Sequence, residues 1–356
     1  MAKVIIFSDL HAHQWQEFST LVDYRGEKIN SRLAAVAGVI DRVGRYAKEH
    51  GVCIVCFAGD LFHRKRLIDV PVFNVIAQAI HRLSQNVSEL LLVVGNHDLV
   101  RRSAHGVFSE EHALSALGRY SNVTILDRPW LFRGIGVVPY ADDLATIKAG
   151  IKEVKGASWL ILHAGIHGAH TGAVEYQPLE PLGVDDLPGV PIYSGHYHRP
   201  QKIARDGCPP VVYVGAPFEF VRGDGHSRHR GFIVVDTDNP EQYQRVRIPG
   251  PQFVTMNVAA FSDEEAAGNY VDLTLDDKSS PDKWAKRLAK AGVAGFNIVP
   301  YREPERPRPR LKTKAKRGEG LPSISELCES YADNVKGLSK IKLKQVLRKA
   351  FSHVDD

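Results

Sequence analysis

The chain reads as an α/β protein: two sheets with helices outside them, then a small αβ module and a helical tail. Three observations predict this. Short apolar runs end in a polar cluster five times, at residues 9–11, 60–63, 96–98, 163 and 196–198. The early runs alternate with helix-period stretches, as in a mostly parallel sheet, whereas later runs follow one another more closely. Near Pro249 the texture changes to shorter strands, and beyond residue 301 to a basic, proline-containing segment.

Taken in order, residues 4–7 form a buried strand that breaks at Ser8 into Asp9-Leu10-His11. The carboxyl ends of strands in an open sheet are where ligands bind. If strand geometry persists, Asp9 and His11 point the same way and can reach one metal ion. A polar loop, 14–30, precedes an amphipathic helix over 31–50, in which Leu33, Val36, Ile40, Val43 and Ala47 recur at helical spacing and Gly51 supplies the stop. The strand at 53–57 ends in Gly59-Asp60-Leu61-Phe62-His63. A second helix, 70–85, leads to a strand at 90–94 that ends in Gly95-Asn96-His97-Asp98. Strands at 123–126 and 135–138 follow, then one at 159–162 ending in His163 and one at 191–194 ending in Gly195-His196-Tyr197-His198. Runs at 211–214 and 231–235 look like closing strands of the second sheet. In the small module, strands at 253–258, 270–275 and 296–299 surround a helix at 281–291.

Composition suits a soluble globular protein, with 44% hydrophobic and 24% charged residues over 356 positions. No apolar run approaches the roughly 20 residues of a membrane helix. The first residues enter a strand without a signal-peptide pattern. Four cysteines argue against a disulfide scaffold and for a reducing cytoplasm. Cys53 and Cys56 lie in an apolar run at spacing that faces them apart, and read as buried, inert thiols. The net charge of +5 is local. Residues 302–317 hold eight Lys or Arg against two Glu, and removing them leaves 38 basic and 39 acidic residues. Residues 302–322 therefore read as an exposed basic linker. After Pro322, Ser323-x-x-Glu326 is a capping-box signature. Two apolar stripes, Ile324/Leu327/Tyr331/Leu338 and Leu343/Val346/Leu347/Ala350, then mark short helices over 323–356 that suit docking on a partner.

The strand-end groups Asp9, His11, Asp60, Asn96, His97, His163, His196 and His198 are carboxylate, amide and imidazole donors suited to divalent transition metals. So many candidate ligands are too many for one ion and suit two that share a carboxylate.

In order and content, Asp9-x-His11, Gly59-Asp60, Gly95-Asn96-His97-Asp98, His163 and Gly195-His196-x-His198 resemble the signature of the calcineurin-like metallophosphoesterases. Gly59 to His63, and Gly195-His196-Tyr197-His198-Arg199-Pro200-Gln201, resemble the SbcD-type nucleases of DNA double-strand-break processing. The resemblance implies a four-layer αββα sandwich over 1–248, a small α/β capping, DNA-contacting domain over 249–301, and a C-terminal tail that binds an SbcC-like ABC ATPase. It assigns Asp9, His11, Asp60 and His198 to one metal, and Asp60, Asn96, His163 and His196 to the other. His97 would face the scissile phosphate as general acid or charge stabiliser, Asp98 would orient the His97 ring, and His63 would sit near the substrate. Manganese is the first expectation for the pair, with magnesium, iron(II) or zinc as alternatives. The implied activity is exonuclease and endonuclease action on DNA ends by a homodimer, in a bacterial cytoplasm or a phage-infected host.

Departures are informative. Ala12-His13 stands where the nucleases often have Leu-Gly; His13, His167 and His170 read as exposed loop histidines, with contact to substrate or metal-bound water as the alternative for His13 and a place near the cleft for the other two. The second block lacks the Asp-Arg-Gly continuation of protein phosphatases. Two other readings remain: a phosphodiesterase or phosphatase for a small molecule or protein, and a binding scaffold with a vestigial site.

Overall fold

The computed structural model describes residues 2–101, 106–170, 182–225, 227 and 229–301. The expected linker and tail helices, and Cys328, lie outside these. Met1–Tyr301 forms one compact unit.

Two six-stranded sheets face each other. In the first, the order is Tyr243–Arg247, Gly231–Asp236, Lys3–Phe7, Ile54–Phe57, Glu89–Val93 and Val123–Leu126. The last four are parallel, and Gly231–Asp236 runs antiparallel to both its neighbours. The second has the order Gln201–Arg205, Cys208–Tyr213, Ile192–Gly195, Trp159–His163, Ile135–Val138 and Trp130–Phe132, with four parallel central strands between antiparallel edges.

Side-chain alternation along each strand builds the layers. Val4 and Ile6 enter a core between the sheets with Leu91, Ile135, Trp159 and Tyr193. Ile5 and Phe7, on the opposite face, meet Val36, Ile40, Ile76 and Ile80 of the helices Ser31–Glu49 and Val70–Ser84. On the far side Leu160, Leu162 and Val211 pack against Ile147 and Ile151 of the helix Leu144–Glu153. The result is the expected four-layer αββα sandwich. Because strands in both sheets are buried on two faces, they read as continuous apolar runs.

The small module is a parallel three-stranded sheet, Phe253–Asn257, Tyr270–Thr274 and Gly295–Val299, with the helix Pro281–Ala291 laid on it. Leu288 of that helix is fully buried with Val271, Leu273 and Met256. Gly292 ends it in the left-handed region, the role for which a residue without Cβ is suited. Against the body, Phe253 and Tyr270 pack on Phe18.

Several expectations are corrected. The expected loop at 14–30 contains a hairpin, Leu21–Tyr24 with Glu27–Asn30, turning through Arg25 and Gly26 at φ of 58° and 87°. Two consecutive positive φ values make the tight turn whose twist fits a hairpin, but Arg-Gly is a weaker signal than Asn-Gly. The run at 231–235 belongs to the first sheet, beside Lys3–Phe7, because an apolar run buried on both faces does not name its partner. Cys56 is buried, but Cys53 is exposed, since it precedes the strand rather than lying in it. The helix Leu144–Glu153, capped by Asp143 through its carboxylate and the Thr146 N–H, goes unread in the sequence.

Candidate two-metal centre

Convergence begins in the backbone. The first strand ends at Phe7, so Asp9 and His11 are not aligned by strand alternation as the sequence suggests. They lie instead in a turn with φ of 54° and 43°, and Asp60 and His196 also adopt positive φ, at 64° and 99°. Such conformations are sparsely populated for residues with a Cβ and cost about 1–3 kcal/mol each. The surrounding structure imposes them. The Asp9 and Asp60 loops are zipped together by N–H groups of Asp9, Leu10, His11 and Ala12 donating to the carbonyls of Gly59, Asp60, Asp60 and Leu61, at 2.8–3.0 Å.

Two overlapping clusters result. His11 Nε2 lies 2.9 Å from His198 Nε2 and 3.6 Å from Asp60 Oδ2. On the other side, Asn96 Oδ1 lies 3.0 Å from His163 Nε2 and 2.9 Å from His196 Nδ1, while His163 Nε2 is 3.5 Å from Asp60 Oδ1. Asp60 thus faces both groups, one oxygen to each. Asp9 lies near both as well: a carboxylate oxygen comes within 4.8 Å of His11 and His198 nitrogens, and one within the same distance of Asp60 and His163.

Three glycines make this approach possible. A Cβ on Gly59 would lie 2.2 Å from His163 Nδ1, one on Gly95 2.3 Å from Asp60 Oδ1, and one on Gly195 2.2 Å from the Ala58 carbonyl. The Gly that precedes Asp60, Asn96 and His196 is therefore a packing requirement.

Hydrogen bonds fix the rings. His163 Nδ1–H donates to the Ala58 carbonyl at 2.7 Å, and His198 Nδ1–H to Asp224 Oδ1 at 2.7 Å, which turns each Nε2 inward. His97 Nδ1–H donates to the His63 carbonyl at 2.7 Å. The His63 and His97 rings lie 5.6 Å apart and nearly parallel, and both come close to His11. Asp98 does not orient the His97 ring as expected. Its carboxylate accepts from the backbone N–H groups of Asp60, Leu61, Phe62 and Gly95, so it shapes the loop that carries Asp60. His13 is half-buried beside Trp15 and His63, not exposed, whereas His167 and His170 are exposed.

Two contributors escape the sequence reading. Asp224, besides holding His198, accepts from Phe220 and Val221 N–H, and buried Arg230 donates to the carbonyls of His198 and Asp224. Asp224 lies in a short turn and Arg230 just before the first residue of a strand, not at a strand's carboxyl end, which is why no pattern marks them.

Burial lowers His11 well below the ordinary 6.5, with neighbouring His198 adding to it, and lowers His196 to about 3. Burial holds these two imidazoles neutral, the form that binds metal, whereas at His163 and His198 burial is outweighed by Asp60, which pushes His163 up to about 9, and by Asp224, which raises His198. For Asp60 burial opposes charge, but the adjacent His163 and His11 override it and keep the carboxylate ionised. Burial and the Asp60 charge push Asp98 up to about 7.

The donor set fits divalent cations. Asp9 Oδ2 and His11 Nδ1 are buried without a hydrogen-bond partner among the described residues, and inward-facing imidazole nitrogens and carboxylate oxygens surround them. Unpaired buried polar atoms are costly unless something charged or polar completes them. Residues 2–224 match the calcineurin-like phosphoesterase family. The chain belongs to that family. Over 200 residues, this phosphoesterase is 26% identical to exonuclease subunit 1 of Enterobacteria phage T4, covering 54% of this chain and 56% of the relative. Over 238 residues it is 25% identical to the DNA double-strand break repair protein Mre11 of Methanopyrus kandleri, covering 59% and 51%. The phosphoesterase spans about half the length of these curated relatives. Among solved structures, a dimetal phosphatase from Danio rerio aligns at a TM-score of 0.36 and 12% identity, over 65% of this chain and 91% of that one. Among the described residues no helix is long and apolar enough to cross a membrane.

Proposed function

We propose that the chain is a two-metal DNA nuclease that hydrolyses phosphodiester bonds at DNA ends, as the nuclease subunit of an SbcCD-like complex. The observation that carries this reading is the pair of clusters sharing Asp60, with the His97 ring beside His11. Family membership supports hydrolysis of a phosphate ester. The names of the two relatives, an exonuclease subunit and a double-strand break repair protein, support DNA as substrate.

Asp9, His11, Asp60 and His198 would hold one cation, and Asp60, Asn96, His163 and His196 the other, manganese being the first choice. When bound, such a pair supplies charge neutralisation for a phosphodiester and an activated water at neutral pH. The chain's own residues do the rest. The His63 carbonyl holds His97 by Nδ1–H, which leaves Nε2 free; with a second proton there, the ring as imidazolium would give that proton to the departing oxygen, becoming neutral, or balance the oxygen's charge. Asp98 fixes the Asp60 loop, so the shared carboxylate is placed before substrate arrives. Partner binding belongs to the 323–356 segment, with an ABC ATPase as the partner. Homodimer formation and a cytoplasmic setting belong to the same reading.

The decisive test is cleavage of end-labelled linear duplex DNA by the purified chain in Mn²⁺, with an EDTA control. Chelator-sensitive loss of duplex is expected. Faster turnover of a small phosphodiester than of DNA would overturn the nuclease reading in favour of a small-molecule phosphodiesterase.

A further inference from the structure

A cavity of about 770 Å³ opens beside the metal centre, lined by His13, Trp15, Asn30, His63, Arg64 and Asp69 together with Gln14, Gln16 and Ser19. Its size falls within the range of small-molecule sites, about 300–1,000 Å³. It adjoins the catalytic machinery through His63, whose carbonyl holds His97 and whose ring forms part of the cavity wall. The wall is built. Trp15 packs against the His63 ring at 4.4 Å, the Arg32 guanidinium covers Trp15 at 4.7 Å, and Asn30, the cap of the first helix, donates to the Trp15 carbonyl at 2.8 Å. The lining is largely polar: His13, Gln14, Gln16, Ser19 and Asn30, with Arg64 and Asp69, carry donors and acceptors of the kind that pair with the edges of a nucleobase. The exposed Arg64, which follows His63 directly, brings a cation to the cavity for an anionic chain, with the Asp69 carboxylate in the same lining; Lys65 and Arg66 line a separate cavity.

We propose that this cavity receives the nucleotide on the leaving-group side of the scissile phosphate, unpaired from its complement, with Arg64 on that nucleotide's outer phosphate and His13 against its base. The assignment rests on the nuclease reading, because His97 serves the departing oxygen and the cavity continues outward from His97 by way of His63. A base must leave its stack for its edge to reach Gln14 and Gln16, so single-stranded or frayed ends are the preferred form.

The test compares two substrates and one binding measurement for the wild type, Arg64→Ala and His13→Ala. For hydrolysis, kcat/KM in Mn²⁺ is measured on a single-stranded oligothymidylate and on bis(4-nitrophenyl) phosphate, which carries no nucleotide. The ratio of oligonucleotide to nitrophenyl ester should fall about tenfold in Arg64→Ala, the size expected for one lost charged contact, and about threefold to tenfold in His13→Ala, for one lost neutral hydrogen bond. In EDTA, fluorescence anisotropy of a labelled oligothymidylate should show about tenfold weaker binding to Arg64→Ala. Unchanged ratios with unchanged anisotropy would overturn the subsite. A wild type that hydrolyses neither substrate would sink the nuclease reading, and the anisotropy result would still decide whether the cavity binds nucleotide.

Discussion

The Asp224 carboxylate lies 2.7 Å from His198 Nδ1, and its other oxygen accepts the backbone N–H groups of Phe220 and Val221. One short turn thereby fixes both the tautomer and the direction of an imidazole whose Nε2 faces His11. Partners of this kind typically contribute 10–100-fold to metal affinity. Asp224→Asn keeps an oxygen for the backbone N–H groups but loses the charge that favours donation from His198. Mn²⁺ titration followed calorimetrically should show one of two sites weakened by about that factor, with an unchanged circular dichroism spectrum. Two sites of wild-type affinity would reduce Asp224 to a loop cap.

His97 makes a sharper division between binding and turnover. Its ring is held by the His63 carbonyl, and its backbone N–H donates to Asp60 Oδ1 at 2.7 Å, a bond that any side chain at this position retains. His97→Ala should therefore lower the hydrolysis rate by about 10²–10⁴ while metal content per chain stays near normal. Elemental analysis beside the rate measurement checks this. Joint loss of metal and activity would place His97 among the ligands.

Much of the cluster is legible in the sequence because its side chains follow strands at their carboxyl ends, and an apolar run that stops on Gly-Asp, Gly-Asn-His or Gly-His is conspicuous. What is not legible is the manner of convergence. Asp9 and His11 look aligned by alternation, yet positive φ at both residues brings them to the site. Asp98 looks like a partner of its neighbour His97, yet its carboxylate faces the backbone of the Asp60 loop, 36–38 positions earlier. Asp224 sits in a turn whose meaning depends on a residue 26 positions away. The four-layer fold could be read from which runs are apolar. The sheet membership of Gly231–Asp236 could not, since both of its faces are buried.

The glycine before Asn96 can be tested directly. Gly95 has no need of a positive φ, so Gly95→Ala introduces no backbone strain of that kind, only a methyl group 2.3 Å from Asp60 Oδ1 and 2.4 Å from the Asp60 nitrogen. Backbone cannot yield as a flexible side chain can. Overpacking of this sort costs about 1–3 kcal/mol, and here it displaces the shared carboxylate. Thermal unfolding should move down, and both metal sites should weaken together. Loss of only one site would show that Asp60 is not shared.

The small module's attachment should be sensitive to acid. Asp272 accepts from Arg222 Nε at 2.5 Å and Nη2 at 3.0 Å, and from Asn297 Nδ2 at 2.9 Å. Burial opposes its charge, but these bonds and the Arg222 cation outweigh that and hold the carboxyl below its ordinary 3.8. A folded value below the unfolded one means that the unfolded chain takes up the proton first. The stabilisation is then complete above about pH 5, erodes below the ordinary carboxylate value, and is gone once pH passes below the folded one. Asp272→Asn removes this dependence. Since Arg222 is about half exposed, the loss at pH 7 should be modest, about 1 kcal/mol. Urea unfolding of wild type and variant at pH 7 and at pH 3 checks it: the two stabilities should differ at pH 7 and draw together at pH 3. A gap that stays constant with pH would mean that the variant acts through packing rather than through the ion pair.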